Sequence, residues 1–268
     1  MAKICVVNLI PEKIGHLFTR YAEEISAKVW RSETKLGIKS PELGLASLSH
    51  TCAYFDLLNK RELVEKVLEA EREGYDAVVI HCFADPGVHE ARTVVNIPVI
   101  GPGEATMLLA CNYGHKFGVV TISEPLGVKE LAIKVRQYGL QDRAISNPVR
   151  PIAIPWNEWL RKNPEEAMEE VLPDIIERAK ECVDDGADVI VIGCTMLGPI
   201  CTLAGVAAIP GMDVPILDCL GVALKTAETM VDFNSKLGLP PIGRSGIYRK
   251  AREKDLSRNR ASFGLKTL

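Results

Sequence analysis

Short, wholly apolar segments alternate along the chain with longer segments in which apolar residues recur every three or four positions. The short segments are typical of strands buried on both faces. They cover residues 3–8, 43–48, 76–82, 97–101, 117–122, 188–194 and 214–218, with a weaker one at 151–155. The longer segments predict helices over 60–74, 164–186 and 218–233, and Pro173 should kink or split the second. This alternation predicts an α/β fold.

The chain also contains an internal repeat. The segment EGYDAVVIHC aligns without a gap with DGADVIVIGC, so that Cys82 matches Cys194 at an offset of 112 residues. KICVVN matches KFGVVT at an offset of 113, and IPVIGPGEA resembles VPILDCLGVA. Because separate segments keep nearly the same offset, we expect two pseudo-symmetric lobes, each a parallel, flavodoxin-like sheet flanked by helices, with the active site in the cleft between them.

The repeat predicts a division into lobes. The first would contain residues 1–112 plus about 215–235, and the second residues 113–214. Residues 236–268 carry nine Lys/Arg against two Asp/Glu, a net charge of +7, which leaves −10 on the rest of the chain. Such a basic C-terminal arm suits nucleic acid or an acidic surface of a neighbouring subunit, and we favour the second interpretation.

Bulk composition narrows the class of protein. The chain is 47% hydrophobic and 25% charged, with a net charge of −3, which is ordinary for a globular protein and gives no reason to expect nucleic-acid or membrane partners. It has no apolar run of about 20 residues and no cleavable signal pattern at its start. We expect a cytoplasmic homo-oligomer, a dimer or higher, that acts on a small molecule.

Eight cysteines are present, and none forms a Cys-x-x-Cys pair. In a long, apolar chain of this kind we expect reduced thiols, most of them buried, and no structural zinc. His81, Cys82, Asp85 and His89 are close in sequence. They do not predict a metal site, because neighbouring residues of a strand point to opposite faces.

Two of these cysteines lie where chemistry is expected. Ligands of open parallel sheets bind beyond the carboxyl ends of the strands, and Cys82 and Cys194 each end a strand. Facing lobes would bring the two thiols to opposite sides of one ligand. One thiolate could then remove a proton from a carbon next to a carbonyl while the other thiol protonates the opposite face. Either cysteine alone would more simply be a buried core residue, but the paired placement favours catalysis.

The motifs resemble a known family. HCFADPGVHEAR, followed by IPVIGPGEA and FGVVT, together with VIGCT, resemble the aspartate/glutamate/hydantoin racemase superfamily, and most closely its hydantoin and allantoin racemase branch. The resemblance covers about residues 3–225. It implies a cofactor-independent racemase or epimerase, acting on a small amino acid or a hydantoin-like cyclic ureide, with Cys82 and Cys194 as the acid/base pair. The positions that match residues near the substrate carbonyls are Asn8, Phe83, Gly103, Glu104, Thr121 and Thr195.

Some residues depart from the family pattern. The first strand ends in NLIPEK instead of Asn-Pro-Asn-Ser/Thr, and Cys194 is followed by Thr-Met rather than Ala-Gly. The substrate therefore stays open. His50 follows a predicted strand at the cleft rim, where it could bind a carboxylate or assist proton transfer, although a surface or capping role is equally compatible. Glu104 opens a predicted helix, where an acid is favourable without any substrate.

Three other functions stay open at this point. In a maleate isomerase-like enzyme, one cysteine would attack the substrate covalently. In a decarboxylase-like enzyme, one cysteine would protonate an enolate, although this branch uses one thiol and the chain offers two. A bilobed α/β chain could also be a non-catalytic protein that binds small carboxylates.

Overall fold

The computed structural model describes residues 1–13, 15–42, 52–155, 158 and 164–265. Its strands are β1 Lys3–Asn8, β2 Lys35–Lys39, β3 Ala77–His81, β4 Val99–Ile100, β5 Phe117–Thr121, β6 Ala144–Pro151, β7 Val189–Ile192 and β8 Ile216–Asp218. Its helices are α1 His16–Val29, α2 Ala53–Arg72, α3 Val88–Arg92, α4 Pro102–Tyr113, α5 Pro125–Gln137, α6 Pro164–Asp184, α7 Gly198–Leu203, α8 Cys219–Leu237 and α9 Glu253–Ser262.

The strands form two parallel sheets with the same topology. The orders are β2-β1-β3-β4 and β6-β5-β7-β8, with every pairing parallel. The central strands β1, β3, β5 and β7 are almost entirely buried, because helices cover both faces of each sheet. The α/β fold with two similar lobes is therefore confirmed.

Symmetry extends to the amino ends of the strands. The Asp76 carboxylate accepts a hydrogen bond of 2.7 Å from the backbone N–H of Lys3. The Asp188 carboxylate accepts one of 3.0 Å from the N–H of Lys116, at the equivalent place in the second lobe. Both aspartates therefore cap strands at the end of the sheet opposite the two cysteines.

The edge strands differ from the sequence expectation. Strand β2 was not predicted, because its residues are only half-buried and its lysines interrupt the apolar pattern. The predicted strand at 151–155 is wrong. Strand β6 covers Ala144–Pro151 instead, and its exposed polar residues hide the signal. The predicted strand at 43–48 lies outside the described residues.

Helix α6 runs unbroken through Pro173, contrary to the expected split. Proline removes the hydrogen bond to the carbonyl four residues earlier, which belongs to Glu169. Glu169 is exposed, so water can hydrate that carbonyl at the helix surface. The solvent-facing position of this turn therefore lowers the cost of the proline.

The two lobes exchange their last helices. Helix α4 follows β4 of the first sheet and packs against β7 of the second, whereas α8 follows β8 of the second sheet and packs against β3 of the first. Helices α4 and α8 also pack against each other. We keep the two-lobe division as a proposal, with β8 in the second lobe because it pairs with β7, and not in the first as the boundary near 215 implied.

The basic arm lies on its own chain. Arg244 donates a hydrogen bond of 2.6 Å to the carbonyl of Arg92, and Tyr248 contacts His89. Arg260 forms a two-pronged ion pair with Glu65 at 2.6 and 2.7 Å. These residues therefore bind helices α2 and α3 of the same chain, and contact of the arm with a neighbouring subunit stays a prediction. No helix in the described ranges is long and apolar enough to cross a membrane.

Candidate active site

Each of the two cysteines begins a tight turn at the carboxyl end of a strand. The carbonyl of Cys82 accepts the N–H of Asp85 at 3.1 Å, and Asp85 has a φ of 53°. The carbonyl of Cys194 accepts the N–H groups of Leu197 at 3.0 Å and Gly198 at 2.9 Å, where α7 begins. Cys82 is buried and Cys194 is half-buried, and all eight cysteines are unpaired, as expected.

Reciprocal contacts bring the two strand ends together. The residue after Cys194, Thr195, donates its hydroxyl to the carbonyl of His81, the residue before Cys82, at 3.2 Å. The residue after Cys82, Phe83, lies with its ring against Gly193, the residue before Cys194, so that a Cβ on Gly193 would be 3.2 Å from the ring. The strand ends that carry the two cysteines, one from each sheet, are therefore in contact.

Burial and backbone dipoles act in opposite directions on the two thiols. Burial raises the pKa of Cys82 well above its ordinary value, and the neighbouring N–H of Ala84 lowers it by less. Burial also raises the pKa of Cys194, against the N–H groups of Met196 and Leu197. The Met196 N–H lies 3.4 Å from the Cys194 sulfur. The charge of Cys194 contributes to the raised pKa of Cys82, so the thiols influence each other.

Asn8 lies buried at the end of β1 and orients His81. Its amide nitrogen donates to Thr19 at 3.2 Å and Ser40 at 3.1 Å, and its oxygen lies 3.0 Å from Nδ1 of His81. Because that oxygen only accepts, Nδ1 of His81 must donate, which leaves Nε2 as an acceptor with no partner among the residues that the structure describes. Burial lowers the pKa of His81 to about 3, so the ring is neutral. Substrate contact by Asn8 stays a prediction.

Gly103 and Glu104 shape the turn that follows Cys82. Their N–H groups donate to the Asp85 carboxylate at 2.9 and 2.7 Å. A Cβ on Gly103 would overlap the carbonyl oxygen of Phe83, so glycine is required for this close approach. The Glu104 carboxylate binds Arg92 at 2.5 Å. Direct contact of either residue with substrate stays a prediction.

Thr121 reinforces the second strand end. Its hydroxyl donates to the carbonyl of Gly193 at 2.8 Å, next to Cys194. Thr121 and Thr195 therefore both bond backbone carbonyls that precede a cysteine, and both are buried. His50, the other predicted substrate-binding residue, lies outside the described residues.

Five residues around the turns were not predicted as site residues. The Asp85 carboxylate accepts the hydroxyl of Tyr138 at 2.6 Å, and the Asp218 carboxylate accepts that of Thr202 at 2.9 Å. Burial raises the pKa of Cys219, and so do the charges of Asp218, Cys194, Asp85 and Cys82. The DPG turn and the strand end at Asp218 were visible signals, but Tyr138 reaches Asp85 from the other lobe. Across the described residues, no three His, Cys, Asp or Glu side chains form a set that could hold a metal ion.

Comparison with known proteins agrees with this architecture. A family model described as Asp/Glu/Hydantoin racemase matches residues 49–227. The chain is 32% identical to a hydantoin racemase of Pseudomonas sp. over 81% of this chain and 82% of that protein. It is 34% identical to a hydantoin racemase of Rhizobium meliloti over 84% and 88%. An allantoin racemase structure from Klebsiella pneumoniae superposes with a TM-score of 0.77 at 23% identity, covering 94% of each chain.

The fold is that of a racemase. The chain belongs to the Asp/Glu/hydantoin racemase family and is an isomerase of that class. The resemblance found in its motifs is thereby confirmed.

Proposed function

We propose that this racemase inverts a carbon α to a carbonyl in a cyclic ureide such as a hydantoin, using Cys82 and Cys194 as a two-thiol acid/base pair. The observation that carries the proposal is the reciprocal contact of Thr195 with His81 and of Phe83 with Gly193. It brings the ends of the two cysteine-bearing strands together, which supports an arrangement with one thiol on either side of the substrate.

The chemistry follows from two thiols in opposite protonation states. The thiolate takes the α proton, and the carbon–hydrogen bonding electrons move into the carbonyl to form an enolate. The opposite thiol then gives its proton to the other face of that carbon, which restores the carbonyl and inverts the centre. The first cysteine ends as a thiol and the second as a thiolate, so the enzyme is ready for the reverse direction.

Other described groups are poorly placed for this proton transfer. The Nδ1 proton of His81 is bound to Asn8, and burial lowers the pKa of the ring to about 3, so its Nε2 is a weak base. The Glu104 carboxylate is paired with Arg92. The thiols are therefore the groups to which we assign the acid and base roles.

An uncharged ureide fits the site better than an amino acid or another small carboxylate. The largest influences on the pKa values of Cys82 and Cys194 are burial, backbone N–H groups and, for Cys82, neighbouring acidic groups, and no Lys or Arg charge is among them. A substrate carboxylate near these thiols would lack a cationic partner and would further oppose thiolate formation. The names of the curated relatives, hydantoin racemases, agree with this choice.

Optical rotation tests the proposal. Pure enantiomers of isopropylhydantoin, allantoin, aspartate and glutamate are each incubated with the enzyme, and loss of rotation is followed. We expect activity on a ureide, its abolition in Cys82→Ser and Cys194→Ser, and its retention in Cys111→Ser. Cys111 is a matched control because it is half-buried on α4 and its thiol donates to the carbonyl of Met107 in the same helix. Full racemisation by both serine variants, or activity on amino acids only, would contradict the proposal.

A further inference from the structure

A carboxylate lies beyond the turn after each of the two cysteines, buried at Asp85 and half-buried at Asp218. In the first lobe it belongs to Asp85, whose two oxygens accept the N–H groups of Gly103 and Glu104 at the start of α4. The same carboxylate accepts the hydroxyl of Tyr138 from the second lobe at 2.6 Å. Asp85 therefore connects the turn after Cys82 to the exchanged helix α4 and to the opposite lobe.

In the second lobe the carboxylate belongs to Asp218. One oxygen accepts the N–H of Leu220 at the start of α8 at 2.9 Å, and the other accepts the hydroxyl of Thr202 on α7 at 2.9 Å. A Cβ on Gly198, where α7 begins after Cys194, would overlap an oxygen of Asp218. Asp218 therefore connects the segment after Cys194 to the exchanged helix α8.

The two carboxylates occupy equivalent space although they come from different sequence positions. Gly101 ends the fourth strand segment of the first repeat, and Asp218 holds the matching position in the second. A Cβ added to Gly101 would overlap the carboxyl carbon of Asp85. In the second lobe the carboxylate belongs to the residue at the strand end, Asp218. In the first lobe that residue is Gly101, and the carboxylate beside it comes from Asp85 in the turn after Cys82. Sequence alignment of the repeats cannot show this equivalence, because the two aspartates do not align.

We propose that Asp85 and Asp218 are a pseudo-symmetric pair of positioning residues, each holding the turn after one cysteine so that its backbone N–H groups point at the thiol. The inference rests on the two-thiol function proposed above. The N–H groups concerned are those of Ala84 at Cys82 and of Met196 and Leu197 at Cys194, which are the groups that lower the two thiol pKa values. If one turn is displaced, its N–H groups no longer lower the pKa of the thiol beside it, while the other thiol keeps its own N–H groups.

The charge state of each carboxylate follows from its surroundings. Burial raises the pKa of Asp85 to about 6, while the Tyr138 hydroxyl, the two helix N–H groups and the charge of Lys134 lower it. Burial likewise raises the pKa of Asp218 to about 6, against the Thr202 hydroxyl and the N–H groups of Leu220 and Gly221. Both carboxylates are therefore ionised at neutral pH and above, which is the form that accepts every one of these donors.

The test replaces each acceptor by an amide. In Asp85→Asn and Asp218→Asn, one oxygen becomes an N–H₂ group that faces a donor, so the turn shifts. A displacement of about 1 Å at a reacting group lowers rates by about 100-fold. Because one equilibrium constant links the two enantiomers, kcat/KM must fall equally for both. The informative quantity is the primary deuterium isotope effect, measured with each enantiomer of isopropylhydantoin carrying deuterium at the α carbon.

We expect each of the two variants to increase the isotope effect for a different enantiomer. Asp85→Asn slows proton removal by Cys82, so the isotope effect increases for the enantiomer that Cys82 deprotonates. Asp218→Asn increases it for the other enantiomer. Tyr138→Phe and Thr202→Val remove a single donor and should give the same two patterns with smaller rate losses, which keeps the test valid if an aspartate variant fails to fold.

Asp76→Asn and Asp188→Asn are the matched controls, because these aspartates also accept backbone N–H groups but lie at the far ends of the sheets. We expect wild-type isotope effects from both. Equal changes for the two enantiomers in every variant, or no change, would overturn the positioning role. If Cys82→Ser and Cys194→Ser retained full activity, the two-thiol function itself would fail, which is a separate result.

Discussion

The spacing between the two strand ends can be perturbed with one methyl group, in Gly193→Ala. The added Cβ would lie 2.5 Å from Cγ1 of Val119 on β5 and 3.2 Å from the Phe83 ring. Ordinary contacts of this kind are 3.4–4 Å. The methyl group must therefore displace its neighbours by about 1 Å, and the stiff Val119 side chain in a paired strand cannot rotate away freely.

The structure gives the expected magnitudes. Overpacking of this kind costs about 1–3 kcal/mol of unfolding free energy. A shift of about 1 Å between facing acid and base groups lowers kcat/KM by about 100-fold, equivalent to about 2.7 kcal/mol. Optical rotation measures the rate, and urea unfolding measures the stability. Val119→Ala in the Gly193→Ala background removes the overlapping methyl groups and should restore much of the rate and of the stability.

Gly127→Ala is the control for this experiment. Its Cβ would make only ordinary contacts, 3.5 and 3.6 Å from Glu124, inside helix α5. We expect unchanged activity and a gain of up to about 1 kcal/mol in stability, because alanine is a better helix former than glycine. If Gly193→Ala keeps activity within twofold of wild type, the spacing of the two strand ends does not control the reaction and the reasoning is refuted.

Three further predictions concern pH and the arm. Because burial raises the pKa of Cys194 above its ordinary 9.0, kcat/KM should rise with pH up to and beyond about pH 9, and a flat profile above neutrality would contradict a thiolate base. The raised pKa values of Asp85 and Asp218, each about 6 against 3.8 when unfolded, contribute stability that is present below about pH 4 and lost as the pH rises through about 6. The lowered pKa of His81 acts in the opposite direction over the same pH range, so the test is the difference in unfolding free energy between wild type and Asp218→Asn. Urea titrations should show this difference change by about 3 kcal/mol between about pH 4 and pH 6, whereas equal pH dependence in both proteins would refute it. Arg260→Ala should speed proteolysis of the arm and cost about 1–3 kcal/mol, because Arg260 is buried against Glu65, while the exposed Arg258→Ala should do neither.

The repeat made much of this fold predictable. Wholly apolar strands and a nearly constant offset identified the two sheets and placed Cys82 and Cys194 at equivalent ends. The edge strands β2 and β6 were not predicted, because half-buried strands carry lysines and polar residues that interrupt the run of apolar residues. Pro173 was misjudged because sequence does not show that its turn of helix faces water.

The supporting residues of the site were harder to predict for a physical reason. Tyr138 ends up beside Asp85 only because the lobes face each other, a contact between positions 53 residues apart. The contacts of the arm within its own chain were not predicted, because net charge does not reveal that Arg244 binds the carbonyl of Arg92. Such contacts depend on tertiary geometry, and neither periodicity nor composition encodes them.

The most direct test of the two-thiol account follows deuterium in the first turnovers. One pure enantiomer of a hydantoin that the enzyme accepts is incubated with it in D₂O, and NMR measures deuterium at the α carbon of product and of recovered substrate. With two thiols, the proton added to the product comes from the cysteine opposite the one that removed the substrate proton. The account therefore predicts deuterium in the product and almost none in the recovered substrate. Product that retains the substrate's own proton, or deuterium that appears equally fast in both enantiomers, would contradict it.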